Sequence, residues 1–345
     1  MPSKIVSRIE RGLGFAGLVE ALARLPASDF RSLLMETCAL RAAACKETAL
    51  MAQAVRDPLL APGEVSPAVL MAFDRAAFEA AAEFDAVELS PVSPFGANHV
   101  LGGASQNSVL TALRNVELPG DSTVAMAIEC ARRRQSGNVV RLCASHRLIR
   151  LQPFDGPGFT PHFRLFAMVT AGRDAGSLRF EIAHLREHVR VYLRLFRALQ
   201  LREPLVEVTD LTALAAALAE AGVARGEVRE SVRAHWLGGS ERFLQERGIP
   251  LPADARHPLL ETEVFAMLRS EFPEAEFRVN QRRLEGFGYY RAFALRISPL
   301  APDGIRYPVT DGGFTDWTAR LMGNRKERLL ISGIGSELVC KKYRP

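Results

Sequence analysis

His184-Leu185-Arg186-Glu187-His188 sets two histidines four residues apart with a glutamate beside the second. That is the H-x-x-E-H spacing, in which one helical turn presents both imidazoles to zinc and the carboxylate serves as general base. Against zinc stand Arg186, Arg190 and Arg194 on the same segment, whose charges oppose a dication, and the lack of a marked third ligand. Two ordinary histidines on a solvated helix face are the plainer account. Gly12-Leu13-Gly14-Phe15-Ala16-Gly17 satisfies G-x-G-x-x-G, a pattern that grips pyrophosphate only between a strand and a helix. Charged, helix-like sequence precedes it here, so a glycine-broken helix junction is expected instead. Arg132-Arg133-Arg134 offers charge to phosphate or RNA, and equally complements the dipole at a helix C-terminus. Cys38 and Cys45, seven apart, read as small core-facing helix residues rather than a redox pair.

The elements that must carry such groups follow from periodicity. Over residues 4–54, Leu18, Leu22, Leu25, Leu33, Leu34, Thr37 and Leu40 recur at helical spacing, interrupted at Pro26 and ended by Asp57-Pro58. A helical N-terminal extension over 1–62 is expected. Ser66-Pro67 is an N-cap followed by proline at the first helical position, opening a helix through Val69, Phe73, Ala76, Ala77 and Ala80. A short strand, 86–90, stops at Pro91; residues 94–108 read as a loop, and 123–134 as a helix. Strands 139–143 and 163–170 flank the turn-rich Phe154-Asp155-Gly156-Pro157-Gly158. Residues 180–199 form a long amphipathic helix with Ile182, Leu185, Val189, Tyr192 and Phe196 on one stripe. Residues 209–272 are largely helical again and read as an insertion between two parts of a core, 63–208 and 273–345. Strands are expected at 276–285, 289–298, 306–311 and 328–332.

Taken in order, several segments resemble the catalytic core of class II aminoacyl-tRNA synthetases, and within that class histidyl-tRNA synthetase. Helix 67–83 with the strand ending at Pro91 resembles motif 1, which implies a homodimer. Leu113-Arg114-Asn115-Val116-Glu117, followed by Thr123 and a helix, resembles the loop whose glutamate receives the substrate amine. His146 to Gln152, the turn-rich loop and His162-Phe163 resemble motif 2. That resemblance implies Arg150 on the α-phosphate and carboxylate, His162 on the distal phosphates and Phe163 stacked on adenine. Such roles suit a guanidinium and an aromatic face. Glu285-Gly286-Phe287-Gly288-Tyr289-Tyr290 resembles the histidyl R-G-L-D-Y-Y segment, with both tyrosines near the side-chain pocket. Asp311-Gly312-Gly313 would supply a flat floor, and Gly333-Ile334-Gly335-Ser336-Glu337-Leu338 resembles motif 3. The implied fold is α+β, an antiparallel sheet flanked by helices.

The departures bear on activity. Gln152 stands where motif 2 has glutamate, Leu338 where motif 3 has arginine, and Glu285 where the histidyl enzyme has its catalytic arginine. Loss of two cations removes transition-state stabilisation worth several kcal/mol per group. The chain ends seven residues after Leu338, so no anticodon recognition is expected. The resemblance leaves two readings. One is a ligase that activates an amino acid or similar carboxylate with ATP and Mg2+ for a carrier or other non-decoding acceptor. The other is an amino-acid-sensing subunit like the regulatory subunit of ATP phosphoribosyltransferase, acting on a protein partner. The H-x-x-E-H zinc hydrolase stands as a third.

Composition narrows the setting. Apolar residues make up 48% and charged residues 24% of 345, a globular balance that argues against wholesale disorder. No apolar run approaches the roughly 18 residues of a membrane span. No signal-peptide core is visible near Met1. Five cysteines without a CxxC pair fit reduced thiols and a cytoplasmic setting. The formal charge of +5, with acids and bases interspersed, permits an anionic ligand without demanding nucleic acid.

Overall fold

The computed structural model describes residues 3–151, 160–224, 227–228, 232, 238–252 and 254–343. In chain order the strands begin with β1 (Asp85–Ala86). A small three-stranded sheet follows, from β2 (Ser93–Pro94), β3 (Thr111–Ala112) and β4 (Val116–Glu117). Then come β5 (Val140–Ile149), β6 (His162–Arg173), β7 (Arg202–Asp210), β8 (Glu276–Val279), β9 (Arg291–Leu300), β10 (Thr310–Thr315) and β11 (Glu327–Gly335). With β1 they build an eight-stranded sheet in the order β1-β5-β6-β11-β10-β9-β7-β8. Its ladders are antiparallel except for the parallel edge pairs β1 with β5 and β7 with β8. The expected α+β sheet is therefore present.

Alternation along the strands sorts residues onto two faces. Phe166, Met168, Leu330, Phe314 and Leu295 face one side, in a core with Leu185, Val189 and Phe196 of helix Arg179–Ala198 and Phe73 and Ala77 of helix Pro67–Ala80. Ala144, Ala167, Val169, Ile331 and Ala294 face the other. There they pack with Met126 and Ala127 of helix Ser122–Arg133, Leu214 and Leu218 of helix Leu211–Glu220, and Trp317 of helix Trp317–Met322. This second face is the one left partly open.

Several elements are shorter or differently placed than periodicity suggests. The expected strand 276–285 ends at Val279, and residues 280–290 form turns before β9. The strand expected at 306–311 runs instead over Thr310–Thr315, and that at 86–90 is only β1. Helix Pro67–Ala80 starts with proline at its first position as expected, but Ser66 makes no side-chain cap bond.

The motif segments resolve physically. Gly14 caps helix Lys4–Leu13 at φ 66° and Gly17 opens helix Leu18–Ala23 at φ 72°, a glycine-broken junction. Of the three consecutive arginines, Arg132 and Arg133 pair with Glu129, whereas Arg134 is buried against Glu327 at 2.8 Å. Cys38 and Cys45 are exposed, not core-facing. The two histidines do not sit on a solvated helix face either, because His188 is completely buried and His184 nearly so. Among the described residues no helix is long and apolar enough to cross a membrane.

Candidate functional site

On the open face, β6, β10 and β11 floor a cleft of about 280 Å3. Its deep wall depends on glycine. Gly286 sits at φ +82°, and a Cβ there would lie 2.3 Å from the Tyr290 ring; one at Gly313 would lie 2.6 Å from it. Tyr290 can therefore lie flat across β10, its ring 4.2 Å from that of Tyr289. Its hydroxyl donates to Asp311 Oδ1 at 2.7 Å. Burial, then the Asp311 charge, push the Tyr290 phenol well above its ordinary pKa, which keeps that donor protonated. Behind Asp311 lies Arg283, fully buried, its Nη2 2.7 Å from Asp311 Oδ2. Asp311 itself remains 52% exposed, and it lines the cleft.

The opposite wall is made where helix Ser122–Arg133 begins. Asp121 caps it, accepting from the Thr123 backbone N–H at 2.9 Å and hydroxyl at 2.8 Å. Arg150, at the end of β5, donates Nε to the Gly120 carbonyl at 2.7 Å. Its guanidinium lies 5.0 Å from the Phe163 ring centroid, a cation–π geometry, and 3.9 Å from Asp121. At the far end Gly333, Gly335, Glu337 and Leu338 line the cleft with Arg164. Glu337 Oε1 accepts from Arg147 at 2.6 Å, and its Oε2 is buried with no hydrogen-bond partner among the described residues.

Charge around the cleft balances. Arg147, Arg150, Arg164 and Arg283 each face a carboxylate, respectively Glu337, Asp121, Asp74 and Asp311. A triphosphate is strongly anionic and calls for a surplus of cations. The described residues offer no surplus here. The described residues alone therefore supply no cation surplus for ATP with its magnesium.

Of the residues singled out in the sequence, the structure brings Arg150, Phe163, Tyr289, Tyr290, Gly333 and Gly335 into this cleft, with Gly313 beneath Tyr290. Glu117 is not among them. It is fully buried, and accepts from Asn98 N at 2.7 Å, Asn98 Nδ2 at 2.8 Å, Gly96 N at 3.0 Å and Gln106 Nε2 at 3.3 Å. Burial pushes its pKa up, and the bonds from Asn98 and Gly96 more than reverse that, so it is an ionised strut for the 93–106 loop. His162 is also engaged elsewhere. Its Nδ1 accepts from Arg147 at 2.8 Å, leaving Nε2–H to donate to the Ala61 carbonyl at 2.7 Å. Gly312 faces the opposite side of the sheet, where a Cβ would meet Ser332 at 2.6 Å. Glu285 lies off the cleft, 3.8 Å from Arg296. Gln152 lies outside the described residues.

Sequence reasoning missed Asp121 and Arg164, and passed over the carboxylates of Asp311 and Glu337. Asp121-Ser122-Thr123 carried a readable signal, an acid capping a helix. Asp311 carried another, a lone acid in the run Val309-Thr310-Asp311-Gly312. Arg283 stands next to the tyrosine-pair segment in sequence, but nothing local shows that its guanidinium meets Asp311.

The H-x-x-E-H segment builds a core network. His188 bonds to Thr170 Oγ1 at 2.9 Å and Ser332 Oγ at 2.8 Å, and Tyr192 donates to the same serine at 2.8 Å. His184 and Arg141 both hold Glu187. Burial lowers the His188 pKa to about 3, so this imidazole stays neutral.

No protein-family model matches the sequence, and no curated protein matches it. Solved structures do. An ATP phosphoribosyltransferase regulatory subunit/histidyl-tRNA synthetase from Bacillus halodurans C superposes with a TM-score of 0.58 at 13% identity, over 79% of this chain and 78% of that one. A histidine–tRNA ligase subunit from Alicyclobacillus acidocaldarius gives 0.60 at 14% identity, over 81% and 95%. Histidyl-tRNA synthetase from Nostoc sp. PCC 7120 gives 0.57 at 13% identity, over 83% and 74%. The fold is thus a class II aminoacyl-tRNA synthetase-like core. Within that class, its structural neighbours include histidyl-tRNA synthetases and a regulatory subunit.

Proposed function

We propose that this core binds an amino acid, or a similar small carboxylate bearing an amine, without activating it, and serves as a ligand-sensing subunit for a protein partner. The balanced set of arginines and carboxylates around one small cleft carries this reading. Asp121 receives the ligand's ammonium group, Arg150 its carboxylate, and Tyr289 with Tyr290 flank its side chain. Leu338 in the cleft, at the position where motif 3 resemblance leads one to expect arginine, supports binding without phosphate chemistry. The Bacillus halodurans neighbour bears the name of a regulatory subunit beside that of a synthetase, which fits a role in controlling another protein.

Adenylation is the second reading. It is favoured by one observation, that Arg150 and Phe163 lie together in the cleft. Calorimetry against the twenty amino acids, with and without MgATP, combined with ATP–pyrophosphate exchange, separates the two. The expected result is saturable binding of one or a few amino acids without nucleotide and no exchange. Exchange with any amino acid would establish the ligase instead, and no binding under either condition would overturn both.

A further inference from the structure

Helices Lys4–Leu13, Leu18–Ala23, Ala27–Ala43 and Glu47–Arg56 contain no buried residue. The first of them sorts its side chains sharply. At 3.6 residues per turn, Ile5, Ile9 and Leu13 fall within about 80° of one another, while Lys4, Arg8 and Arg11 fall within about 60° on the far side. All three apolar side chains are exposed, as is Phe15 just beyond the helix. Ser3 bounds the helix by accepting from the Val6 backbone N–H at 3.2 Å. Its one acid is engaged elsewhere, because Glu10 Oε1 accepts from the Leu18 backbone N–H at 2.9 Å, where the next helix begins. Among the described residues no carboxylate pairs with Lys4, Arg8 or Arg11. The charges on the polar side of this helix are therefore all positive and all unmatched.

Size and charge decide what covers such a helix. It is about 15 Å long and about 10 Å across, so its apolar side is far smaller than the roughly 800 Å2 that each partner gives to a stable protein interface. Helix Ala27–Ala43 does not extend the pattern. It mixes Asp29 and Glu36 with Arg31 and Arg41, and sets Leu33 and Met35 on opposite sides. Nor does the core provide cover, since among the described residues the hydrogen bonds and ion pairs that tie this region to it begin with Ala61 on His162 and Glu64 on Lys341. A narrow apolar stripe backed by cations suits the plane of a membrane surface, where the stripe sinks toward the acyl chains and the long basic side chains reach back to the lipid phosphates. Anionic headgroups supply the counter-charge that Lys4, Arg8 and Arg11 lack within the chain. An isolated helix of ten residues is marginal in water, and an interface that orders it supplies the missing packing.

We infer that helix Lys4–Leu13 is a membrane-contact helix, which holds the chain reversibly on an anionic phospholipid surface. The inference does not depend on what the cleft binds. The full chain is mixed with vesicles of phosphatidylcholine alone, or of equal parts phosphatidylcholine and phosphatidylglycerol, and the bound fraction is read by flotation. Binding to the anionic vesicles should be tighter by about ten-fold or more, as three basic side chains near a charged surface would give, and should weaken as salt is raised. Ile5→Ser/Ile9→Ser should remove binding, and Lys4→Gln/Arg8→Gln/Arg11→Gln should erase the preference for anionic lipid. Both variants should keep the near-ultraviolet dichroism of the core, because none of these side chains is buried. Phe15→Trp reads the contact in an otherwise native chain, and the added indole's emission should move to shorter wavelength on the anionic vesicles. A wild-type chain that binds neither vesicle, or binding that both multiple variants leave intact, would overturn the inference. An unshifted emission on vesicles that do bind the chain would place the contact elsewhere and overturn it too. So would an oligomer that Ile5→Ser/Ile9→Ser dissolves while the vesicles bind nothing, since the stripe would then belong to a protein partner.

Discussion

At the residue scale the cleft separates two kinds of carboxylate that look alike in sequence. Asp121 lines the cleft, and Glu117, four residues earlier, is consumed by four donors. Asp121→Asn should therefore weaken amino-acid binding about 30-fold or more, the usual result of truncating one partner of a charge-assisted contact. It should leave thermal stability within a few degrees. Glu117→Gln should do the reverse, lowering stability by roughly 2 kcal/mol because charged acceptors hold the 93–106 loop, with affinity in the surviving folded fraction nearly unchanged. Isothermal titration beside urea denaturation of both variants reads the contrast, and equal loss of affinity in the two would remove the assignment of the ammonium site to Asp121.

At the scale of elements, two glycines of β10 do different things because strand alternation turns them to opposite faces. A methyl group at Gly313 would press on the Tyr290 ring, and one at Gly312 on Ser332 across the ladder. Gly313→Ala should cost about 1–3 kcal/mol by overpacking and also abolish ligand binding, since Tyr290 would be displaced from Asp311. At Gly333 the nearest atoms are the Leu165 side chain at 3.1 Å, which can turn aside, so Gly333→Ala should cost less and keep binding. Thermal melts with and without ligand distinguish them. This alternation also explains what was legible beforehand. Long helices such as Arg179–Ala198 and paired strands β5 and β6 announce themselves by period. The tyrosine pair and Asp311-Gly312-Gly313 were likewise visible as a motif. What local pattern could not reveal is that Gly312 turns away while Asp311 turns in, or that Arg283 crosses beneath to meet Asp311, because those facts depend on pairing between distant strands. His162 was legible as a residue type but not in its partners, since Ala61 reaches it from 101 positions away.

At the scale of the whole molecule, the buried His188 makes stability depend on pH. Its native pKa of about 3 lies below the ordinary value of 6.5, so between these limits the unfolded chain binds a proton that the native chain refuses. Stability is unaffected above about pH 6.5 and declines as pH falls, by up to about 1.4 kcal/mol per pH unit from this residue. His146, whose pKa burial also lowers, adds to the slope in the same direction. Urea titrations at pH 7.5, 6.5 and 5.5 should show the decline, and His188→Gln, though less stable throughout, should show a shallower one. An unchanged slope in that variant would assign the pH dependence to other groups.

The central ladder between β6 and β11 has a consequence in time. Gly333 pairs with Ala167 and Ile331 with Val169, so the floor of the cleft is closed by contacts between segments more than 160 residues apart. Pairings this distant form slowly, because the loop must be ordered before any contact rewards it. The β5–β6 hairpin and the helices before it can form during synthesis, whereas the binding site is completed only when the last strand arrives. Recovery of ligand binding after dilution from denaturant should therefore lag behind recovery of helical signal, making the ligand a reporter of the final step of folding.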